Sequence, residues 1–159
     1  AHPFMIRSAI TVCLVPEAAA GPFVFHGDLA SGCARAAAAG FDAVEIFPTH
    51  ADDLDAFQLR ELLRQHGLVL AAMGTGAGWV RRKLCFTDPD PHARLCARDF
   101  AGAIVDFAGA FGAPAIIGSR ANAIRRASSS EMGRGKSSFA EYSATIVEFG
   151  VSSRQRSRI

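Results

Sequence analysis

An α/β fold with parallel strands is predicted by three observations. Four apolar, strand-prone runs alternate with three helical stretches of amphipathic spacing. Each helical stretch closes on a glycine, at Gly40, Gly67 and Gly112. A strand run follows each of these glycines directly or within a few residues, giving the order β-α-β-α-β-α-β. Such alternation implies parallel strands joined by helical crossovers. It leaves two architectures open, a doubly wound open sheet and a (β/α)₈ barrel. In both, ligands gather at the carboxyl ends of the strands, here Cys13 to Glu17, Phe47 to His50, Met73 to Lys83 and Gly118 to Arg120.

The first strand is read over Ile6 to Leu14, where Ile10, Val12 and Leu14 alternate with Ser8, Thr11 and Cys13. Pro16, Gly21 and Pro22 break the next stretch into a loop. Asp28 is placed to cap a helix from Leu29 to Ala39, with Leu29, Cys33, Ala36 and Ala37 on its packing face. Val44, Ile46 and Phe47 form the second strand, which carries a single carboxylate, Glu45. Asp55, with Gln58 three residues on, opens the second helix, and Leu59, Leu62, Leu63 and His66 share one face of it. Leu68 to Met73 is the third strand. Gly74 to Gly78 then predicts a flexible loop running into Arg81, Arg82 and Lys83. Asp90-Pro91 starts a long helix in which Ala93, Cys96, Ala97, Phe100, Ile104, Phe107 and Phe111 recur at helical spacing. Pro114 to Ser119 is the fourth strand.

The 159 residues are 50% hydrophobic and 20% charged, an ordinary globular balance. Charge is divided unevenly. Residues 1–119 are net −3 and residues 120–159 net +5. The second part breaks the strand–helix alternation and is rich in Ser and Arg, as in Ser128-Ser129-Ser130 and Ser152-Ser153-Arg154-Gln155-Arg156. Only Phe139 to Phe149 holds enough apolar residues there for a short helix or strand. The organisation expected is therefore an α/β domain over residues 1–120 and a mostly irregular tail over 121–159, disordered or out of frame. Four scattered cysteines without paired spacing fit a reducing compartment. Neither a membrane-length apolar run nor a signal-peptide pattern is present, and a cytoplasmic location is the expectation.

Four residues are the candidate substrate-binding groups, one within the second strand and three near predicted strand ends. Glu45 is the strongest, because an ionised carboxylate on an apolar strand is costly unless its surroundings are polar. If Val44 and Ile46 pack against helices, Glu45 points the other way, toward a barrel interior. The alternative is a structural carboxylate paired with an internal Arg or Lys. His50, after Pro48, suits an acid–base group or an exposed loop histidine. Trp79 could stack on a sugar ring or cover the mouth. Arg81, with Arg82 and Lys83, could hold a phosphate or form a solvated charge run. The glycine loop itself lacks the spacing and the following helix of a dinucleotide fingerprint. No histidine pair has metal-helix spacing, so no metal ligand and no catalytic residue is assigned.

Four pieces together resemble the xylose isomerase-like TIM-barrel family, the sugar phosphate isomerases and epimerases. They are Ala39-Gly40-Phe41-Asp42-Ala43-Val44-Glu45-Ile46, His66-Gly67-Leu68-Val69-Leu70, Thr87-Asp88-Pro89-Asp90-Pro91, and Ala110-Phe111-Gly112-Ala113-Pro114 continuing to Gly118-Ser119. The resemblance covers residues 6 to about 120 and implies the N-terminal half of a (β/α)₈ barrel. It also implies a divalent metal, Mn²⁺ or Mg²⁺, and proton transfer beside the carbonyl of a small sugar or hydroxy-carbonyl substrate. The family's metal ligands lie in the second half of the barrel, and Glu131, Glu141 and Glu148 lack strand context. This chain is therefore expected to be a truncated member, inactive alone, that self-associates through two open sheet edges. Two other readings stay open: an apurinic-site endonuclease of the same fold, and a non-catalytic α/β domain whose basic tail binds nucleic acid. The net acidity of residues 1–119 speaks against the first, and the shortage of aromatic residues among the tail's arginines speaks against specific RNA recognition.

Overall fold

The computed structural model describes residues 7–118 and the backbone of 144–146. Ten elements occur among them. In chain order they are β1 (Ala9–Cys13), β2 (Phe25–His26), α1 (Leu29–Ala38), β3 (Ala43–Phe47), α2 (Ala56–His66), β4 (Val69–Gly74), α3 (Ala77–Arg82), α4 (Pro91–Gly109), β5 (Ala115–Gly118) and β6 (Ala144–Ile146). Short 3₁₀ turns at Pro16–Ala18 and Ala51–Asp53 follow β1 and β3.

The helix starts form as their sequences dictate. Asp28 accepts from the Ser31 amide at 2.8 Å, Asp55 from Gln58 at 2.9 Å and Asp90 from His92 at 2.9 Å. Each satisfies an amide that the first helical turn leaves unpaired. The three predicted helix-ending glycines all adopt positive φ, between 65° and 81°.

The six strands run in the order β2-β1-β3-β4-β5-β6. All neighbours are parallel except β5 and β6, which are antiparallel. The four long parallel strands β1, β3, β4 and β5 lie in chain order with no reversal. A doubly wound sheet has helical crossovers on both sides of a point where the order reverses. Here only the two-residue β2 lies out of chain order, and no α-helix joins it to β1. The helices agree. A Cβ on Gly32 of α1 would meet Val12 of β1, and α1 packs beside α2. On α2, Arg60 reaches the end of α4, donating to the Ala110 carbonyl at 2.5 Å and covering the Phe111 ring at 4.3 Å. Successive helices on one side of a sequentially ordered parallel sheet make a partial TIM barrel.

The core lies between this sheet and its helices. Val12, Val44, Ile46, Met73 and Ile104 are fully buried, joined by Leu59 and Leu63 from α2 and by Phe100 and Ala108 from α4. None of the four cysteines is in a disulfide. Burial pushes the Cys33 thiol up to about 11, which keeps it protonated.

Three expectations are corrected. The stretch after β1 is not all loop, because Phe25–His26 pairs with Val12–Cys13 as β2. The glycine-rich segment is not a flexible loop throughout, since Ala77–Arg82 is helical and Ala77 and Gly78 are buried. The buried Thr75 anchors its start, with both its amide and its hydroxyl donating to the Ile116 carbonyl at 3.0 Å. The sheet does not end at the first and fourth predicted strands either, for β2 lies beyond β1 and β6 beyond β5. The irregular tail expected over 121–159 lies outside the described residues except at β6, which falls within Phe139–Phe149.

Candidate functional site

The strand register decides which side chains face the barrel interior. Thr11 pairs with Glu45 and Cys13 with Phe47, while Val12 pairs with Ile46 on the opposite, helix-covered face. Glu45 therefore projects inward, as the alternation in the sequence predicts. Between β3 and β4 the register skips a residue: Val44 pairs with Leu70, but Glu45 pairs with Ala72. Such an irregularity re-aims neighbouring side chains and is common beside active sites.

Around Glu45 the surroundings are compact and almost uncharged. The Thr11 hydroxyl donates to Oε2 at 3.2 Å. A Cβ on Gly74 would stand only 2.8 Å from the Phe47 ring, so the missing side chain at 74 is what admits that ring, and it would lie in ordinary contact with Oε1 at 3.7 Å. Phe23 packs on Phe47 with ring centroids 5.2 Å apart. Burial raises the Glu45 carboxyl above its ordinary value, and the Thr11 hydrogen bond opposes that rise only in part. Among the described residues no Arg, Lys or His forms an ion pair with Glu45. No described residue supplies the internal cation that a purely structural carboxylate would need.

His50 ends the β3 segment and begins the following turn. Its Nδ1 accepts from the Asp52 amide at 3.2 Å and lies 3.3 Å from Asp52 Oδ2. The first contact needs Nδ1 unprotonated and the second needs it protonated. The amide contact is the one built into the turn, since the Asp52 carboxylate is 86% exposed. The His50 ring stands edge-on to Phe100 at 5.2 Å, and Phe100 also lies against Gly78 of α3. Trp79 is half-buried beside it, with Lys83 Nζ 5.5 Å from the ring centroid.

Arg81 is already partnered. Its Nε donates to Glu17 Oε1 at 3.0 Å, which ties α3 to the turn after β1. The pair is roughly half exposed on both sides. The structure thus places Glu45 in the middle of β3 and the other three residues in the segments that follow β3 and β4, in separate groups. Glu45 sits with Thr11, Phe47 and Gly74, His50 sits with Phe100, Trp79 sits under Lys83, and Arg81 sits with Glu17. No hydrogen bond or ion pair joins Glu45 to the other three.

Sequence reasoning missed Thr11 as a partner of Glu45. The only signal was positional, since the two residues occupy matching places in strands that parallel pairing brings side by side. It also missed a cleft of about 440 Å³ between the N-termini of α1 and α2, lined by Leu14, Leu29, Thr49, Asp53, Leu59 and Leu62 among others. Thr49 donates to Asp53 on its rim. Glu45 does not line it.

Among the described residues no group of three or more His, Cys, Asp or Glu side chains is placed to hold a metal ion. They do not by themselves form the divalent-metal centre that the resemblance implies. No helix among them is long and apolar enough to cross a membrane.

A sequential parallel sheet with helices on one side is the architecture of part of a TIM barrel. Residues 33–149 match the family model for the xylose isomerase-like TIM barrel, and the chain belongs to that family. The match runs well past residue 120, where the sequence alone places the end of the domain, and includes β6. The comparison with curated proteins found no match.

Proposed function

We propose that this chain is part of a sugar or sugar-phosphate isomerase/epimerase and that it binds a small hydroxy-carbonyl compound at the barrel mouth. The observation that carries the reading is Glu45, a half-buried inward carboxyl with one hydroxyl donor and no cationic partner among the described residues. Such a group is costly to keep unless a polar ligand shares its pocket, and perturbed acids of this kind concentrate at functional sites. In its neutral form Glu45 donates a proton toward a substrate oxygen, and in its ionised form it accepts from a substrate hydroxyl. Arg81 would take an anionic end of the substrate in exchange for Glu17. Trp79 offers a ring face and His50 a second polar group at the rim. Proton transfer beside a carbonyl also needs the enediolate oxygen to be stabilised. The described residues supply no metal centre for that task, so binding without turnover is expected of this chain.

Titration of the labelled chain with dihydroxyacetone and with its phosphate ester, followed by NMR, tests the reading. Resonance shifts at Glu45, His50 and Trp79 are expected, together with at least a tenfold loss of affinity in Glu45→Gln, or about 1.4 kcal/mol. The phosphate ester should bind more tightly, and Arg81→Ala should remove that preference. Shifts confined to the α1–α2 cleft, or unchanged affinity in Glu45→Gln, would overturn it.

A further inference from the structure

The two oxygens of Glu45 stand in different settings. Oε2 is held by the Thr11 hydroxyl at 3.2 Å, across the matched pair of β1 and β3. Oε1 faces the side-chain-free backbone of Gly74 and accepts no hydrogen bond from a described residue. No buried side-chain oxygen or nitrogen in the described structure lacks a partner, so Oε1 keeps some access to solvent. We propose that Thr11 is the positioning residue of Glu45, holding Oε2 so that Oε1 is the atom presented to a ligand in the barrel mouth. The inference rests on the reading of Glu45 as a ligand-facing acid.

The neighbours support it by what they lack. Glu45 is flanked by β1 and β4. On β1 the inward residues are Ala9, Thr11 and Cys13, and Cys13 Sγ is turned to the Val15 carbonyl at 3.6 Å. β4, Val-Leu-Ala-Ala-Met-Gly, has no titratable side chain. On β2, His26 Nε2 is engaged with the Phe23 carbonyl at 2.8 Å. Phe23 and Phe47 complete the surroundings with apolar rings. Thr11 is thus the side chain in this pocket that distinguishes one carboxyl oxygen from the other. A hydroxyl donating to a carboxylate favours its ionised form, so Thr11 also opposes the effect of burial.

The test is a pH titration of the Glu45 side-chain carbonyl carbon by NMR in the full chain, assigned with Glu45→Gln, in wild type, Thr11→Val and Thr11→Ser. Thr11→Val keeps the branched shape and removes the donor, and Thr11→Ser keeps the donor. The midpoint is expected to move upward in Thr11→Val and to return to the wild-type value in Thr11→Ser. Equal midpoints in wild type and Thr11→Val, or an equal upward move in both variants, would overturn the assignment to Thr11. A wild-type midpoint no higher than that of an ordinary glutamate would instead overturn the reading of Glu45 on which it rests. Thermal unfolding of each variant separates loss of fold from loss of the hydrogen bond.

Discussion

At the scale of single residues, Glu45 carries a cost that its surroundings do not remove. Burial raises its carboxyl above the ordinary value, and the Thr11 hydroxyl only partly opposes this. The folded chain therefore holds the Glu45 proton more tightly than the unfolded chain does. Stability is then greatest below the ordinary glutamate range and falls as pH rises through the window between the unfolded and the raised folded value. Glu45→Gln removes that dependence. Its melting temperature is expected to exceed wild type at pH 7, with the difference shrinking toward zero near pH 4; a scan of Tm against pH checks this. The Arg81–Glu17 pair has the opposite character. Half exposed and screened by solvent, it adds little to stability, and its importance lies in connecting α3 to the turn after β1.

At the scale of elements, close docking of helix on strand depends on small residues. A Cβ added to Gly32 in α1 would lie 2.4 Å from Val12 Cγ1, and Val12 is completely buried with a stiff, branched side chain. Gly32→Ala is expected to destabilise the chain by about 1–3 kcal/mol through overpacking, despite alanine's better helix propensity; chemical denaturation measures it. The alanine-rich face of α1 made close docking legible in the sequence, and the aspartate caps made the helix starts legible. The helix at Ala77–Arg82 was not legible. Gly74, Gly76 and Gly78 read locally as loop, and the turn is held by bonds from Thr75 to Ile116 and by Phe100 against Gly78. Those partners lie 22 to 41 residues away and leave no local pattern.

At the scale of the whole molecule, the described sheet ends in two short strands, β2 beyond β1 and β6 beyond β5. β2 covers β1 over two residue pairs, and β6 covers β5 over three. Because β6 is antiparallel, it interrupts the parallel closure of the barrel on that side. Self-association through open edges, expected from four strands alone, is then a matter of how firmly these short strands hold. Thr145→Pro, opposite Ile117, removes a backbone donor from β6. The variant is expected to expose β5 and to shift the chain toward dimers or larger species, which light scattering after size separation detects. An unchanged mass distribution would mean that β6 does not protect the edge.

By itself the sequence determined the alternation of the main strands and helices, the starts of α1, α2 and α4, and that Glu45 lies on the opposite side of its strand from Val44 and Ile46. All three follow from local rules: period, capping chemistry and the two-residue repeat of a strand. The alternation left an open doubly wound sheet and a barrel both possible, and the tertiary structure bears out the barrel that the family resemblance implied, because strand order is a property of pairing and not of any single segment. It also decided that Glu45 meets Thr11 rather than a cation, that Arg81 is paired with Glu17, and that His50 leans on Phe100. Each of these contacts joins residues 34 to 64 positions apart. Their chemistry is set by what parallel strands bring side by side, which no local stretch of sequence encodes.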